Sequence, residues 1–138
     1  MKVREAMAKT IARAKKSDKV ADVARQMKQE DAGFIPVVDG EVLIGVITDR
    51  DIVISCIAEG HDPRNETAEH LMSTRVTTIG LEDDIEEAGR KMERQEIRRL
   101  PVVENGRLVG VLSHGNLVQA TGGKGAAEKA TVGVTRGA

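Results

Sequence analysis

The sequence predicts an α/β protein made of two copies of one β-α-β-β-α unit, packed with pseudo-twofold symmetry. The first observation is an internal repeat: Ile35–Val38 and Leu43–Thr48 return 65 positions later as Leu100–Val103 and Leu108–Ser113. The second is hydrophobic periodicity, which changes in the same order in both copies. A unit of roughly 53 residues buries its apolar face poorly alone, so the two copies are expected to share one core.

Each copy is expected to begin with a short extended segment, followed by a helix with apolar residues at helical spacing. The extended segments are Thr10–Ala14 and Val76–Ile79, and the helical spacing runs from Val20 to Met27 and from Ile85 to Met92. The remaining predicted elements are the strands Phe34–Val38, Val42–Thr48, Leu100–Val103 and Arg107–Ser113 and the helices Asp49–Ala58 and His114–Ala120.

Local signals set the predicted boundaries. Ser17 and Glu82–Asp83 are expected to start the first helix of each copy. Asp39-Gly40 and Asn105-Gly106 are turn signals between paired strands. The resulting domains are residues 1–59 and 68–120, joined by a connector at 60–67. The tail 121–138, rich in Gly, Ala, Lys and Thr, is expected to be flexible.

Composition excludes several classes of function. The net charge is −1 and the only aromatic residue is Phe34, which argues against a nucleic-acid partner. Cys56 is the only cysteine, so no intramolecular disulfide is possible. No apolar run approaches the length of a membrane span, and a cytoplasmic protein is expected. No catalytic triad, phosphate-binding glycine loop or metal-ligand set stands out, so we predict no enzyme, no metal and no required cofactor.

The order of elements, the Pro-Val-Val strands and the Thr48-x-x-Asp51 motif resemble the CBS domain, and the duplication resembles a CBS pair, or Bateman module. The resemblance covers about residues 3–120 and is closest to small stand-alone bacterial two-CBS proteins. It implies an adenine nucleotide (AMP, ADP or ATP) in a cleft between the two domains, with S-adenosylmethionine or NADH ranked behind. It also implies a regulatory role, a homodimer and a partner protein that responds in trans.

The same resemblance assigns roles to individual residues. Asp51, beside Thr48, is implied to bind the ribose hydroxyls, and Arg98 and Arg99, with Ser113, to hold phosphate. The base is implied to contact two backbone segments through Thr10, Ile11 and Ala12 and through Gly33, Phe34 and Ile35. A weaker second cleft is implied at Val76, His114 and Asn116, because Asn116 stands where Asp51 stands in the first copy and Gly33-Phe34 stands where Arg98-Arg99 stands in the second.

Structural explanations compete with these roles. Thr48 and Asp51 also fit a helix capping box, which needs no ligand. Arg98 and Arg99 also fit a solvated surface pair. The three histidines lack the i, i+4 or clustered acid partners that metal sites show, so they are expected to be structural or exposed. Cys56 is expected to be a small core residue. Apolar helix faces at 52–57 and 117–118 are candidates for the dimer contact. A ligand-free docking or dimerisation module for an enzyme or transporter is the alternative function.

Overall fold

The computed structural model describes residues 1–122 and residue 125, which form two compact units. The first unit comprises Ala12–Val76. The second unit comprises Met1–Ile11 together with the described residues from Thr77 onward. The predicted flexible tail therefore falls almost entirely outside the described residues.

Both units are mixed α/β structures, which confirms the predicted fold class. In chain order the elements are α1 Val3–Ala6, β1 Ala14–Lys15, α2 Val20–Glu30, β2 Phe34–Asp39, β3 Val42–Thr48, α3 Asp49–Asp51, a π-helix Ile52–Ile57, α4 Ala68–Leu71, β4 Ile79–Gly80, α5 Ile85–Gln95, β5 Arg99–Glu104, β6 Arg107–Ser113 and α6 His114–Thr121. In the first unit β2 pairs parallel with β1 and antiparallel with β3. In the second unit β5 pairs in the same way with β4 and β6.

Several predicted boundaries are correct. The strands β3 and β6 have the predicted bounds, and the helices α2 and α5 cover the predicted helical spacing. The extended segments were placed too early, since β1 and β4 are two-residue strands at Ala14–Lys15 and Ile79–Gly80. The predicted helix at 49–58 is one turn of α-helix continued by a π-helix. The helices α1 and α4 were missed, because four residues are too few to show a helical period.

The predicted helix starts and one turn need correction. The residue that precedes α2 is Lys19 rather than Ser17, and α5 is capped by Asp84, whose side chain accepts a hydrogen bond from the backbone N–H of Glu86. Between the first pair of strands the two-residue loop is Gly40-Glu41, one position later than predicted. The loop Asn105-Gly106 lies where it was predicted, and both residues have positive φ.

Each unit has its own core, which corrects the expectation of a single shared one. The core of the first unit contains the buried residues Ala14, Val23, Met27, Ile35, Val37, Ile47 and Ala68. The core of the second unit contains Val3, Ile79, Ile85, Ala88, Met92, Leu100, Val102, Leu112 and Leu117. Two of these residues come from the other sequence repeat: Val3 precedes the first repeat's strands, and Ala68 precedes those of the second.

The two repeats thus exchange their leading segments. Backbone N–H groups of Val3 and Arg4 donate to the carbonyls of Asp83 and Leu81 at 2.8 and 3.1 Å. At the equivalent positions 65 residues on, Ala68 and Glu69 donate to Asp18 and Lys16 at 2.8 and 2.9 Å. The domain boundaries predicted from the repeat separate each leading segment from the unit in which it is packed.

Gly45 in β3 and Gly110 in β6 each leave room for an exchanged segment. A Cβ placed on Gly45 would lie 2.6 Å from the sulfur of Met72 and 2.8 Å from the carbonyl oxygen of Ser73. A Cβ on Gly110 would lie 2.7 Å from the sulfur of Met7 and 2.8 Å from the carbonyl oxygen of Ala8. The missing side chain therefore allows close backbone packing, as expected for a glycine within a strand.

Candidate functional site

The predicted ribose-binding motif of the first unit lies at the junction of β3 and α3. The backbone N–H of Asp51 donates to Thr48 Oγ1 at 3.1 Å, and the backbone N–H of Thr48 donates to Asp51 Oδ2 at 2.8 Å. These two reciprocal bonds make a capping box. Thr48 and Asp51 therefore form the helix cap that was the structural alternative to ligand binding.

Capping uses only half of the Asp51 carboxylate. The bond from Thr48 engages Oδ2, and among the described residues no hydrogen bond reaches Oδ1. Asp51 is partly exposed. An ionised carboxylate accepts hydrogen bonds at both oxygens. One side chain can thus cap the helix and still offer an acceptor to a hydroxyl group.

The second unit contains the same box with different chemistry. The backbone N–H of Asn116 donates to Ser113 Oγ at 3.0 Å, and the backbone N–H of Ser113 donates to Asn116 Oδ1 at 2.9 Å. Once Oδ1 caps α6, the remaining polar atom of Asn116 is an amide nitrogen, which can only donate. The two copies therefore share their backbone geometry and differ in what they present beyond it.

The charge beside each box is reversed between the copies. In the first unit the N–H of Asp49 donates to the Gly33 carbonyl at 3.0 Å, and a Cβ on Gly33 would lie 2.5 Å from the Asp49 carboxylate. In the second unit the N–H of His114 donates to the Arg98 carbonyl at 2.7 Å. The box of the first unit therefore has the acidic Asp49 next to Gly33. The box of the second unit has His114 next to the basic Arg98. Asp49 is not among the residues predicted for the site, although alignment of the two copies shows that Asp49 corresponds to His114 and Gly33 to Arg98.

The remaining predicted residues are divided between the units. Thr10 and Ile11 end the leading part of the second unit, and Ala12 begins the first unit. Phe34 and Ile35 lie in β2 of the first unit, where the Ile35 side chain is fully buried in the core.

Of the other candidates, Arg99 is the first residue of β5 and Arg98 precedes it. Arg98 is exposed and Arg99 is partly exposed. Val76 is the last residue of the first unit. Each unit therefore brings two features together. One is the capping box, and the other is the backbone carbonyl, of Gly33 or Arg98, that accepts from the first residue of the capped helix.

Other candidate side chains have structural partners. Cys56 is fully buried in the π-helix, and burial raises the pKa of its thiol, which fits the predicted core role. His61 and His70 are exposed, as expected, but they share an acid partner that was not predicted: the Glu66 carboxylate lies 3.2 Å from His61 Nδ1 and 3.0 Å from His70 Nδ1. Within residues 1–122, no group of three or more His, Cys, Asp or Glu side chains is arranged to hold a metal ion.

None of the described helices is long and apolar enough to cross a bilayer.

Comparison with known proteins gives the same repeat structure. A sequence profile of the CBS domain matches residues 3–56 and 68–123. The CBS domain-containing protein YhcV of Bacillus subtilis is 36% identical over 115 residues, which are 83% of this chain and 81% of that protein.

Two solved structures share the fold. Hypoxic Response Protein I, solved with two coordinated zinc ions, aligns with a TM-score of 0.80 and 30% identity, covering 86% of this chain and 98% of its own. CBSX2 in complex with AMP aligns with a TM-score of 0.76 and 26% identity, covering 86% of this chain and 94% of its own. The architecture is therefore that of other tandem CBS proteins.

Proposed function

This chain belongs to the CBS domain family, and from that premise we propose that it is a regulatory module that binds an adenine nucleotide, AMP, ADP or ATP. Binding shifts the population of conformations, and a partner protein responds to that shift in trans. The proposal contains no catalytic step. The AMP complex of CBSX2 supports the ligand class, since that protein shares the fold of this chain.

The observation that carries the proposal is the second oxygen of the Asp51 carboxylate. Oδ2 of Asp51 accepts from the Thr48 N–H in the capping box, and this bond holds the side chain in place. Oδ1 of Asp51 remains available to accept from a ribose hydroxyl. Arg98 and Arg99 are the proposed phosphate ligands, because the planar guanidinium group of arginine suits phosphate oxygens. The segments 10–12 and 33–35 are proposed to contact the base.

The first experiment is a thermal-melt series with AMP, ADP, ATP, NADH and S-adenosylmethionine. A nucleotide at about 100 times its Kd should stabilise the protein by roughly 2.7 kcal/mol. For a chain of this size that corresponds to an increase in Tm of roughly 5–10 °C. If none of the five compounds raises the Tm, the ligand-free docking module becomes the better account, and a protein partner should be sought instead.

Asp51→Asn separates ligand binding from capping. The second copy shows that asparagine forms this box, so the variant should retain the Tm of the unliganded protein. It replaces the free acceptor by an amide donor, and we expect the Kd for AMP to rise at least tenfold in isothermal titration calorimetry. Asp51→Ala should weaken AMP as well and also lose the bond from the Thr48 N–H, one of the two bonds of the capping box, which costs about 0.5–1.5 kcal/mol. Unchanged AMP affinity in Asp51→Asn would remove Asp51 from the proposed site.

The difference between the copies leads us to propose one strong nucleotide site per chain. Asn116, with Val76 and His114, marks the weaker site, because asparagine has a single acceptor oxygen, which already accepts from the Ser113 N–H, whereas Asp51 has a second carboxylate oxygen. Calorimetry of the wild-type protein should therefore give a stoichiometry near one. Asn116→Asp restores the second acceptor.

A homodimer is the proposed assembly, formed through the outer face of the π-helix. Val53, Ile54 and Ile57 are 56%, 47% and 53% exposed there. Three large apolar side chains on one helical surface are typical of an interaction site, and C2 dimers are the commonest oligomers.

Ile57→Asp should convert the dimer to a monomer in light scattering coupled to size-exclusion chromatography. A charge placed at the centre of an apolar contact has no partner and must be desolvated. Val42→Asp is the matched control, because Val42 is 47% exposed but belongs to β3 and not to the π-helix. A wild-type protein that elutes as a monomer would refute the dimer.

A further inference from the structure

One hydrogen bond from helix to loop occurs in both units and is not explained by capping or core packing. In the first unit Nε2 of Gln26, on α2, donates to the carbonyl oxygen of Arg13 at 3.1 Å. In the second unit Nζ of Lys91, on α5, donates to the carbonyl oxygen of Thr78 at 2.7 Å. Both donors and both acceptors are related by the same 65-residue offset. Two chemically different side chains therefore perform the same task.

The bonded carbonyls lie where the chain passes from one unit to the other. The first unit begins at Ala12, and the second resumes at Thr77. In each case the second residue after the crossing, Arg13 or Thr78, is the one held by the helix, immediately before a two-residue strand. Such short strands fix the chain weakly, so the side-chain bond is a substantial part of its local anchorage.

The orientation of the Gln26 amide follows from chemistry. The acceptor is a carbonyl oxygen, so the NH2 group must face it, and the amide oxygen points elsewhere. That Oε1 is buried and has no hydrogen-bond partner among the described residues. The chain therefore uses only the donor of Gln26, and leaving an acceptor unsatisfied carries a cost in stability.

We propose that Gln26 is a positioning residue for the nucleotide site. By holding the Arg13 carbonyl, it fixes the preceding residues Thr10–Ala12, which the proposed function assigns to the base. This role of Gln26 rests on the proposed function. The hydrogen bond from Gln26 to the Arg13 carbonyl does not depend on it. Gln26 acts through the backbone of Arg13 and is not proposed to touch the nucleotide.

Three variants of the full chain test this role. Gln26→Leu keeps the size of the side chain and removes the donor. Gln26→Lys keeps a donor of the type that the second unit uses, and the lysine would follow Asp22 by one helical turn, as Lys91 follows Glu87. Gln29→Leu is the matched control, because Gln29 is an exposed glutamine on the same helix.

Two readouts are needed, the Kd for AMP and amide hydrogen exchange of residues 10–16. We expect Gln26→Leu to weaken AMP by roughly three- to tenfold, the equivalent of one net hydrogen bond. It should also accelerate exchange in the segment. Gln26→Lys should restore both within about twofold of the wild type, while Gln29→Leu should alter neither. A purely structural role would lower the Tm of Gln26→Leu without changing AMP affinity.

The outcomes separate the two proposals. If the wild type binds AMP and Gln26→Leu binds it equally well, Gln26 has no positioning role. If the wild type binds no adenine compound, the proposed function fails and the link to the base fails with it. In that case the amide hydrogen exchange of residues 10–16 still tests whether Gln26 anchors this segment. Equal exchange rates in the wild type and Gln26→Leu would refute the anchoring role too.

Discussion

Replacing Val3 by aspartate should open the core of the second unit, although Val3 belongs to the first sequence repeat. Val3 is completely buried among residues of α5, β5, β6 and α6. A buried charge without a partner costs about 3–5 kcal/mol, a large part of the stability of a typical domain. Hydrogen exchange should show loss of protection in β5 and β6 first.

Ala68→Asp is the companion variant and should disrupt the core of the first unit instead. Ala68 is fully buried in the core of the first unit, so protection should be lost first in β2 and β3. Val42→Asp places the same charge on an exposed side chain and should change stability little. The domains at 1–59 and 68–120 predict the reverse pattern, with Val3→Asp opening the first unit. That result would refute the exchange of leading segments.

Gly45→Ala and Gly110→Ala should be the next most damaging changes. The added methyl group would meet a backbone oxygen 2.8 Å away, from Ser73 or Ala8 respectively, and a backbone cannot change rotamer to avoid it. The segment must shift, which endangers the paired bonds between Val46 and Ser73 or between Ala8 and Val111. Overpacking of this kind costs about 1–3 kcal/mol, measurable by urea denaturation.

Gly115→Ala is the control for these glycines. Its added Cβ would meet nothing nearer than Ser113 Oγ at 3.6 Å, and it lies in α6. Alanine should therefore stabilise that helix by about 0.5–1 kcal/mol. Removing the methionine side chain, as in Met72→Ala, should not rescue Gly45→Ala, because the Ser73 oxygen stays in place. Full rescue would identify the flexible sulfur as the only obstacle.

Sequence patterns predicted the regular part of each unit well. The strands β3 and β6 have their predicted bounds because alternating or continuous aliphatic residues end there at a turn or a cap. The capping box at Thr48 and Asp51 was also predicted, since a Thr followed three residues later by an acidic residue is a local signal. The second box, at Ser113 and Asn116, was not predicted. Short elements were not visible: α1 and α4 contain a single turn each and have no period to detect.

The candidate site was predictable to the same extent. Local spacing predicted the helix cap at Thr48 and Asp51, and the family resemblance implied their binding role. Comparison of the copies showed that Asn116 replaces Asp51. The contact of Asp49 with Gly33 and the hydrogen bond from Gln26 to Arg13 could not be predicted. Each joins residues 13 to 16 positions apart and leaves no periodic pattern in the sequence. Such contacts depend on where the chain returns.

The duplication, the type of most elements and the chemical difference between the two copies follow from local composition and spacing in one chain. The family follows from the resemblance of the repeated motifs to the CBS domain. The core that each leading segment joins becomes evident in the folded protein alone. A four-residue segment with one buried apolar side chain fits the pattern of either copy, and the choice is made by long-range backbone bonds and by a glycine that leaves room for them.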